Sequence, residues 1–254
     1  MMLTRCAALA GMSLLSITCA QAGETCTIVA DAATGHVLVQ RGDCATQVTP
    51  ASTFKIAISL MGYDAGFLKD QHAPELPYRE GYVDWRENWK QPHDPASWMR
   101  DSVVWYSQQV TTALGMPRLQ AYVKQFGYGN ADLSGDAEHD GLTLSWIGSS
   151  LKISPLEQVG FLRKLVNRQL GVSAAAYDMT ARLVAYQRIG GWDVSGKTGS
   201  SSGYGWYVGW AAQGKRTLVF AHLLRRDAAD PEAVPTGVLA RDRFVEAFPA
   251  QVVR

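Results

Sequence analysis

Beyond its first two dozen residues the sequence has no apolar run long enough to cross a bilayer, so no membrane-spanning helix is expected there. It has no excess of either charge: 24 Lys and Arg stand against 23 Asp and Glu. With no basic stripe and no acidic tail, nucleic acid is not an expected partner. Histidine is scarce: the five histidines (His36, His72, His93, His139, His222) are scattered. No His-x-x-x-His or Cys-x-x-Cys spacing occurs, so no metal is expected, and each histidine reads as a surface or packing residue. Repeats, low-complexity tracts and an interdomain linker are also missing.

What is present begins with a leader. Arg5 supplies a short basic region, Ala7 to Ile17 an apolar core, and Ala20-Gln21-Ala22 a small-x-small cleavage pattern. This reads as a secretory signal peptide over residues 1–22, cleaved after about Ala22; a lipidated Cys19 fits poorly because Ser16-Ile17-Thr18 precede it. Residues 23–254 then form a single domain, exported to the periplasm and free of the membrane after cleavage. Removing Arg5 makes the two charge signs equal. Two of the four cysteines remain, Cys26 and Cys44. They flank two strand-like runs, Thr27–Ala30 and His36–Val39, joined by Asp31-Ala32-Ala33-Thr34-Gly35. A turn near Thr34-Gly35 brings the cysteines nearly opposite each other, so an oxidising compartment favours a structural disulfide over two free thiols.

The most informative stretch is Pro50 to Leu60. A helix is expected after Pro50, with Ser52 in its first turn. From Phe54 to Met61 the chain is apolar on nearly every side, which predicts a buried helix. Ser52 and Lys55, three apart, share one face of it. A lysine on a buried helix is costly unless it is paired or neutral. One reading is a snorkelling Lys55 beside a capping Ser52. The other makes Ser52 a nucleophile and Lys55 its base, since desolvation favours the neutral amine and a hydroxyl needs such a partner.

Further along, Asp64 to Trp98 reads as loops and short helices rimming a cleft, with Trp85, Trp89 and Trp98 as packing residues. Helices are predicted at Ser102–Thr112, at Pro117–Phe126, at Ser154–Leu165 with Glu157 completing a capping box, at Met179–Ile189 and at Val238–Phe248. Gly196–Gly199, Gly205–Ala212 and Thr217–Leu224 read as consecutive strands. Strands at both ends with helices between predict an α/β chain of the α+β type. A central antiparallel sheet built from both termini is flanked by helices and carries an inserted, mainly helical lobe.

Lys197-Thr198-Gly199 lacks the preceding glycines of a phosphate loop, but a strand edge bearing a lysine and a hydroxyl suits a substrate carboxylate. Ser-x-x-Lys followed by Lys-Thr-Gly is the pattern of active-site-serine penicillin-recognising enzymes. Ser102-Val103-Val104 stands at the place of their second serine motif, and Tyr128-Gly129-Asn130 follows. Trp146 precedes Gly148-Ser149-Ser150-Leu151-Lys152-Ile153-Ser154-Pro155-Leu156-Glu157-Gln158, and Trp206-Tyr207-Val208-Gly209-Trp210 follows Lys-Thr-Gly. In these residues the sequence resembles the class D β-lactamases (oxacillinases), over essentially the whole mature chain.

The resemblance implies a β-lactamase/transpeptidase-like fold and hydrolysis of the β-lactam amide through an acyl-enzyme on Ser52, conferring antibiotic resistance. Lys55 matches the lysine that takes up carbon dioxide as a carbamate and serves as general base; no other cofactor is implied. Val104 and Ile147 match the apolar shelter of that group, and Trp146 the indole that hydrogen-bonds it, its alternative being core packing. Ser102 would relay protons between Ser52 and Lys197. The Ser52 and Ser200 N–H groups would form an oxyanion hole. Thr198, Ser200 and Arg241 would bind the substrate, with Arg243 an alternative to Arg241. Tyr128-Gly129-Asn130 reads as structural, Glu157 as a helix-start carboxylate and Glu138 as a surface charge. The partner implied is a small β-lactam. Its spectrum and the choice of monomer or homodimer stay open, as do a β-lactam sensor and a peptidoglycan transpeptidase or carboxypeptidase.

Overall fold

The computed structural model describes residues 24–252; the predicted signal peptide lies outside the described residues. Six strands form one antiparallel sheet in the order β2-β1-β6-β5-β4-β3. They are β1 (Glu24–Asp31), β2 (Val37–Gly42), β3 (Ala185–Ile189), β4 (Trp192–Ser200), β5 (Tyr204–Gln213) and β6 (Arg216–Arg225). The first strand lies beside the last, with Ile28 opposite Ala221, so both ends of the domain build one sheet as predicted. Cys26 and Cys44 are disulfide-bonded, their Cα atoms 5.1 Å apart.

The segment between β2 and β3 supplies the helical lobe. It opens with a 3₁₀ turn, Ala51–Phe54, that runs into α1 (Lys55–Asp64). Then come α2 (Pro95–Asp101), α3 (Val104–Leu114), α4 (Met116–Phe126), the short α5 (Ser145–Gly148), α6 (Pro155–Val166) and α7 (Ala174–Leu183). As its unbroken apolar pattern predicts, α1 is buried from Lys55 through Tyr63. At α6, Ser154 accepts from Glu157 N while Glu157 accepts from Ser154 N, the predicted capping box. The closing helix α8 (Thr236–Val252) covers one sheet face. There Phe244 stacks on Phe220 at 4.2 Å between ring centroids.

Two predicted boundaries fail. The helix expected over Met179–Ile189 ends at Leu183, and Ala185–Ile189 is the edge strand β3. Gly190 and Gly191, both at positive φ, turn the chain so that Ile189 faces Trp192. A two-glycine hairpin with a long partner strand overrides the weak helical periodicity there. The helix expected from Ser102 begins instead at Val104, because Ser102 takes a left-handed conformation (φ 61°) at the end of α2.

Candidate active site

The site forms where the lobe meets the sheet. The 3₁₀ turn carrying Ser52 packs against β4, and the approach requires glycine at Gly199. A Cβ there would lie 2.9 Å from the Pro50 carbonyl oxygen and 3.0 Å from Thr53 Cγ2. Buried polar contacts hold the turn. Thr53 Oγ1 donates to Pro50 O at 2.7 Å, and Gln158 of α6 donates to Thr53 Oγ1 at 3.0 Å. Phe54 packs between Tyr128 and Trp146, at centroid distances of 5.0 and 5.5 Å. Ala51, immediately before Ser52, sits at φ 49°. This and Ser102 are non-glycine residues in a sparsely populated backbone region, the kind of strain that surrounding packing must hold in place.

Ser52 lines a cleft of about 370 Å³ together with Ser102, Val104, Ile147, Thr198, Ser200 and Arg241. Lys55, completely buried, donates to Ser52 Oγ at 3.1 Å. Desolvation pushes its ammonium well below the usual lysine range, and the charges of Lys197 and Arg86 push the same way. Burial thus favours the neutral amine, which points at the hydroxyl. Lys197 donates to Ser102 Oγ at 3.0 Å and to Thr198 O at 3.1 Å. Its pKa falls to about 7, through burial first and then Arg86 and Arg241. Two serine–lysine pairs thus flank one cleft. Ser200 Oγ accepts from Gly237 N of α8 at 2.9 Å, which ties the end of β4 to that helix.

Trp146 is fully buried, and its indole N–H has no hydrogen-bond partner among the described residues. Such a donor is costly to leave unmade. Val104 is buried, Ile147 half-buried. Of the two late arginines, Arg241 lines the cleft while Arg243 pairs with Asp230. Tyr128 is sandwiched in the core, Asn130 bridges to Ser150 O, and Glu157 caps α6, all in framework positions. Gly199-Ser200-Ser201-Ser202-Gly203 has the spacing of a hydrolase nucleophile elbow, but it joins two antiparallel strands rather than a strand and a helix. No group of three metal-ligating side chains occurs among the described residues, and no helix among them could cross a membrane.

Sequence reasoning missed several residues on the cleft wall, Trp89, Pro235 and Val238 among them. Trp85, read as packing, is 62% exposed there, and Arg86 and Arg100 join it. Their signal was weak, because a charged, aromatic loop reads the same whether or not it faces a site.

A six-stranded antiparallel sheet with an inserted helical lobe, and a serine–lysine pair facing a Lys-Thr-Gly strand, define the serine enzymes that recognise penicillins. The penicillin binding protein transpeptidase domain family matches residues 25–240. Within that group the similarity narrows. β-Lactamase OXA-9 of Klebsiella pneumoniae is 44% identical over 241 residues, 88% of this chain and 86% of its own. β-Lactamase OXA-1 of Escherichia coli is 41% identical over 187 residues, 70% of this chain and 64% of its own. The crystal structure of OXA-427 class D β-lactamase superposes with a TM-score of 0.84 at 43% identity, covering 91% of this chain and 98% of that one. This chain belongs to the class D β-lactamases, which are hydrolases.

Proposed function

We propose that the protein hydrolyses penicillin-type antibiotics through an acyl-enzyme on Ser52 and so confers resistance. The observation that carries this reading is the buried, neutral-poised Lys55 amine donating to Ser52 Oγ. Ser52 Oγ attacks the lactam carbonyl carbon as its proton passes to the base at Lys55. The carbon–nitrogen bond breaks, and Ser102, backed by Lys197, passes a proton to the departing nitrogen. The N–H groups of Ser52 and Ser200 steady the oxyanion, each such donor typically worth ~3 kcal/mol. Thr198, Ser200 and Arg241 hold the ring carboxylate. Water then cleaves the ester, releasing a penicilloate-type acid and restoring Ser52.

A carbamate on Lys55, formed with carbon dioxide, supplies a general base for both halves of the reaction. The surroundings fit it. The amine is neutral-poised as that chemistry requires, and the unpartnered Trp146 N–H is a donor suited to an anionic oxygen. Val104 and Ile147 keep the site dry. The mature enzyme is a single domain over residues 23–254, released into the periplasm after removal of residues 1–22.

The test is penicillin turnover by the mature protein with and without bicarbonate, alongside intact mass. Turnover that rises with bicarbonate is expected. A stable one-to-one adduct without turnover would indicate a sensor or transpeptidase. Neither adduct nor turnover would remove Ser52 as nucleophile.

A further inference from the structure

One ring carboxylate calls for one cation, yet three arginines line this cleft, Arg86, Arg100 and Arg241, and no carboxylate does. Two of the three are partly neutralised from outside it. Arg100 is held by Asp101 through two contacts, Nε to Oδ1 at 3.1 Å and Nη2 to Oδ2 at 2.8 Å. Arg241 donates to Asp242 at 2.8 Å and lies 5.3 Å from the Tyr186 ring centroid. Arg86 differs. Its acidic neighbours in sequence, Asp84 and Glu87, both turn to Lys90, at 3.5 and 3.1 Å. No ion pair forms on Arg86 among the described residues. Its guanidinium instead lies over Trp89, 5.7 Å from the ring centroid, and the Trp85 ring stands 6.0 Å from that of Trp89.

This geometry makes Arg86 a fork already oriented by an aromatic face, with its hydrogen-bonding capacity unspent on carboxylate. Its field also reaches the floor of the cleft. Among the charges that depress Lys197, Arg86 outweighs Arg241, and it bears on Lys55 too. Arg86 comes from the segment between α1 and α2, whereas Arg241 belongs to α8. Two cations on different walls suit a substrate with two anionic ends.

Resting on the β-lactam hydrolase reading and extending it, we propose that Arg86 is a specificity-determining residue that binds a second carboxylate, on the acyl side chain. The cleft then favours dianionic β-lactams. Arg241, Thr198 and Ser200 take the ring carboxylate while Arg86 clasps the side-chain one. The excess positive charge raises the local concentration of dianions further.

The test compares benzylpenicillin with carbenicillin, which adds one carboxylate to the same acyl side chain, in the unmodified enzyme, Arg86→Gln and Arg86→Lys. In Arg86→Gln, kcat/KM for carbenicillin should fall about tenfold further than for benzylpenicillin, mostly through KM. Arg86→Lys, which keeps the charge but loses the planar fork, should fall between the two. Equal losses for both substrates would overturn the proposal, assigning Arg86 to the shared ring carboxylate or to general steering. No change with carbenicillin would overturn it as well. Loss of benzylpenicillin hydrolysis in the unmodified enzyme would instead overturn the functional reading, and this one with it.

Discussion

Lys55 lowers the stability of the fold that holds it. An unfolded lysine keeps its proton up to about the ordinary value of 10.5, while the buried one releases it far lower. Between those pH values the unfolded chain binds more protons, so stability rises with pH toward 10.5. Lys55→Met, similar in volume and uncharged, should therefore raise the melting temperature by about 2 °C or more at pH 7 in carbon-dioxide-depleted buffer. The gain should shrink as the pH approaches 10.5, and deacylation should be lost. Thermal scans across pH check this; a lower melting temperature would mean that Lys55 is charged and well paired. Trp146 offers a second residue-scale test. Trp146→Phe keeps a ring beside Phe54 but removes the N–H. Acylation by penicillin should persist, while deacylation slows and becomes more dependent on bicarbonate. Unchanged single-turnover rates would return Trp146 to ordinary packing.

At the scale of elements, the site depends on how closely β4 approaches the Ser52 turn. Gly199 is where they nearly touch, so an added Cβ must push strand and turn apart. Gly199→Ala should cost ~1–3 kcal/mol of stability. Because it moves Ser52 relative to Ser200 and Thr198, kcat/KM should fall about 10- to 100-fold. Urea unfolding together with penicillin kinetics separates the two effects; a stability loss without a kinetic one would place the strain elsewhere. Strand pairing also explains why β3 was misread as helix. Ala185–Ile189 has little burial of its own, every residue but Ile189 being exposed. Its strand character comes from pairing with β4, a partner that local periodicity does not reveal.

At the scale of the molecule, one sheet joins the two ends of the domain, and the disulfide fastens its first hairpin. The bond spans a sequence separation of 18 residues, which in the chain-entropy account is worth about 3 kcal/mol. The double substitution Cys26→Ala with Cys44→Ala should lower the melting temperature by about 5–10 °C. Turnover at 25 °C should survive, because β1 and β2 lie at the sheet edge opposite β3, separated from β4 by β6 and β5. A large loss of kcat without loss of stability would show that the hairpin reaches the site.

Much of this was legible in the residues themselves. The apolar surroundings of Lys55 on α1, the capping box at Ser154 and Glu157, the cysteine-flanked hairpin and the order of the serine and lysine motifs are all local patterns. They determined a buried helix with a costly lysine, a sheet built from both ends and the kind of chemistry expected between them. The left-handed turn at Ser102, the 3.0 Å contact of Lys197 with Ser102 across 95 positions and the placing of Arg241 on the cleft wall with Arg243 turned to Asp230 came only with the tertiary structure. So was the place of Arg86 on the cleft wall. Local sequence reports what a side chain prefers, whereas strand register and the packing of α8 and the lobe against the sheet decide which distant side chains meet.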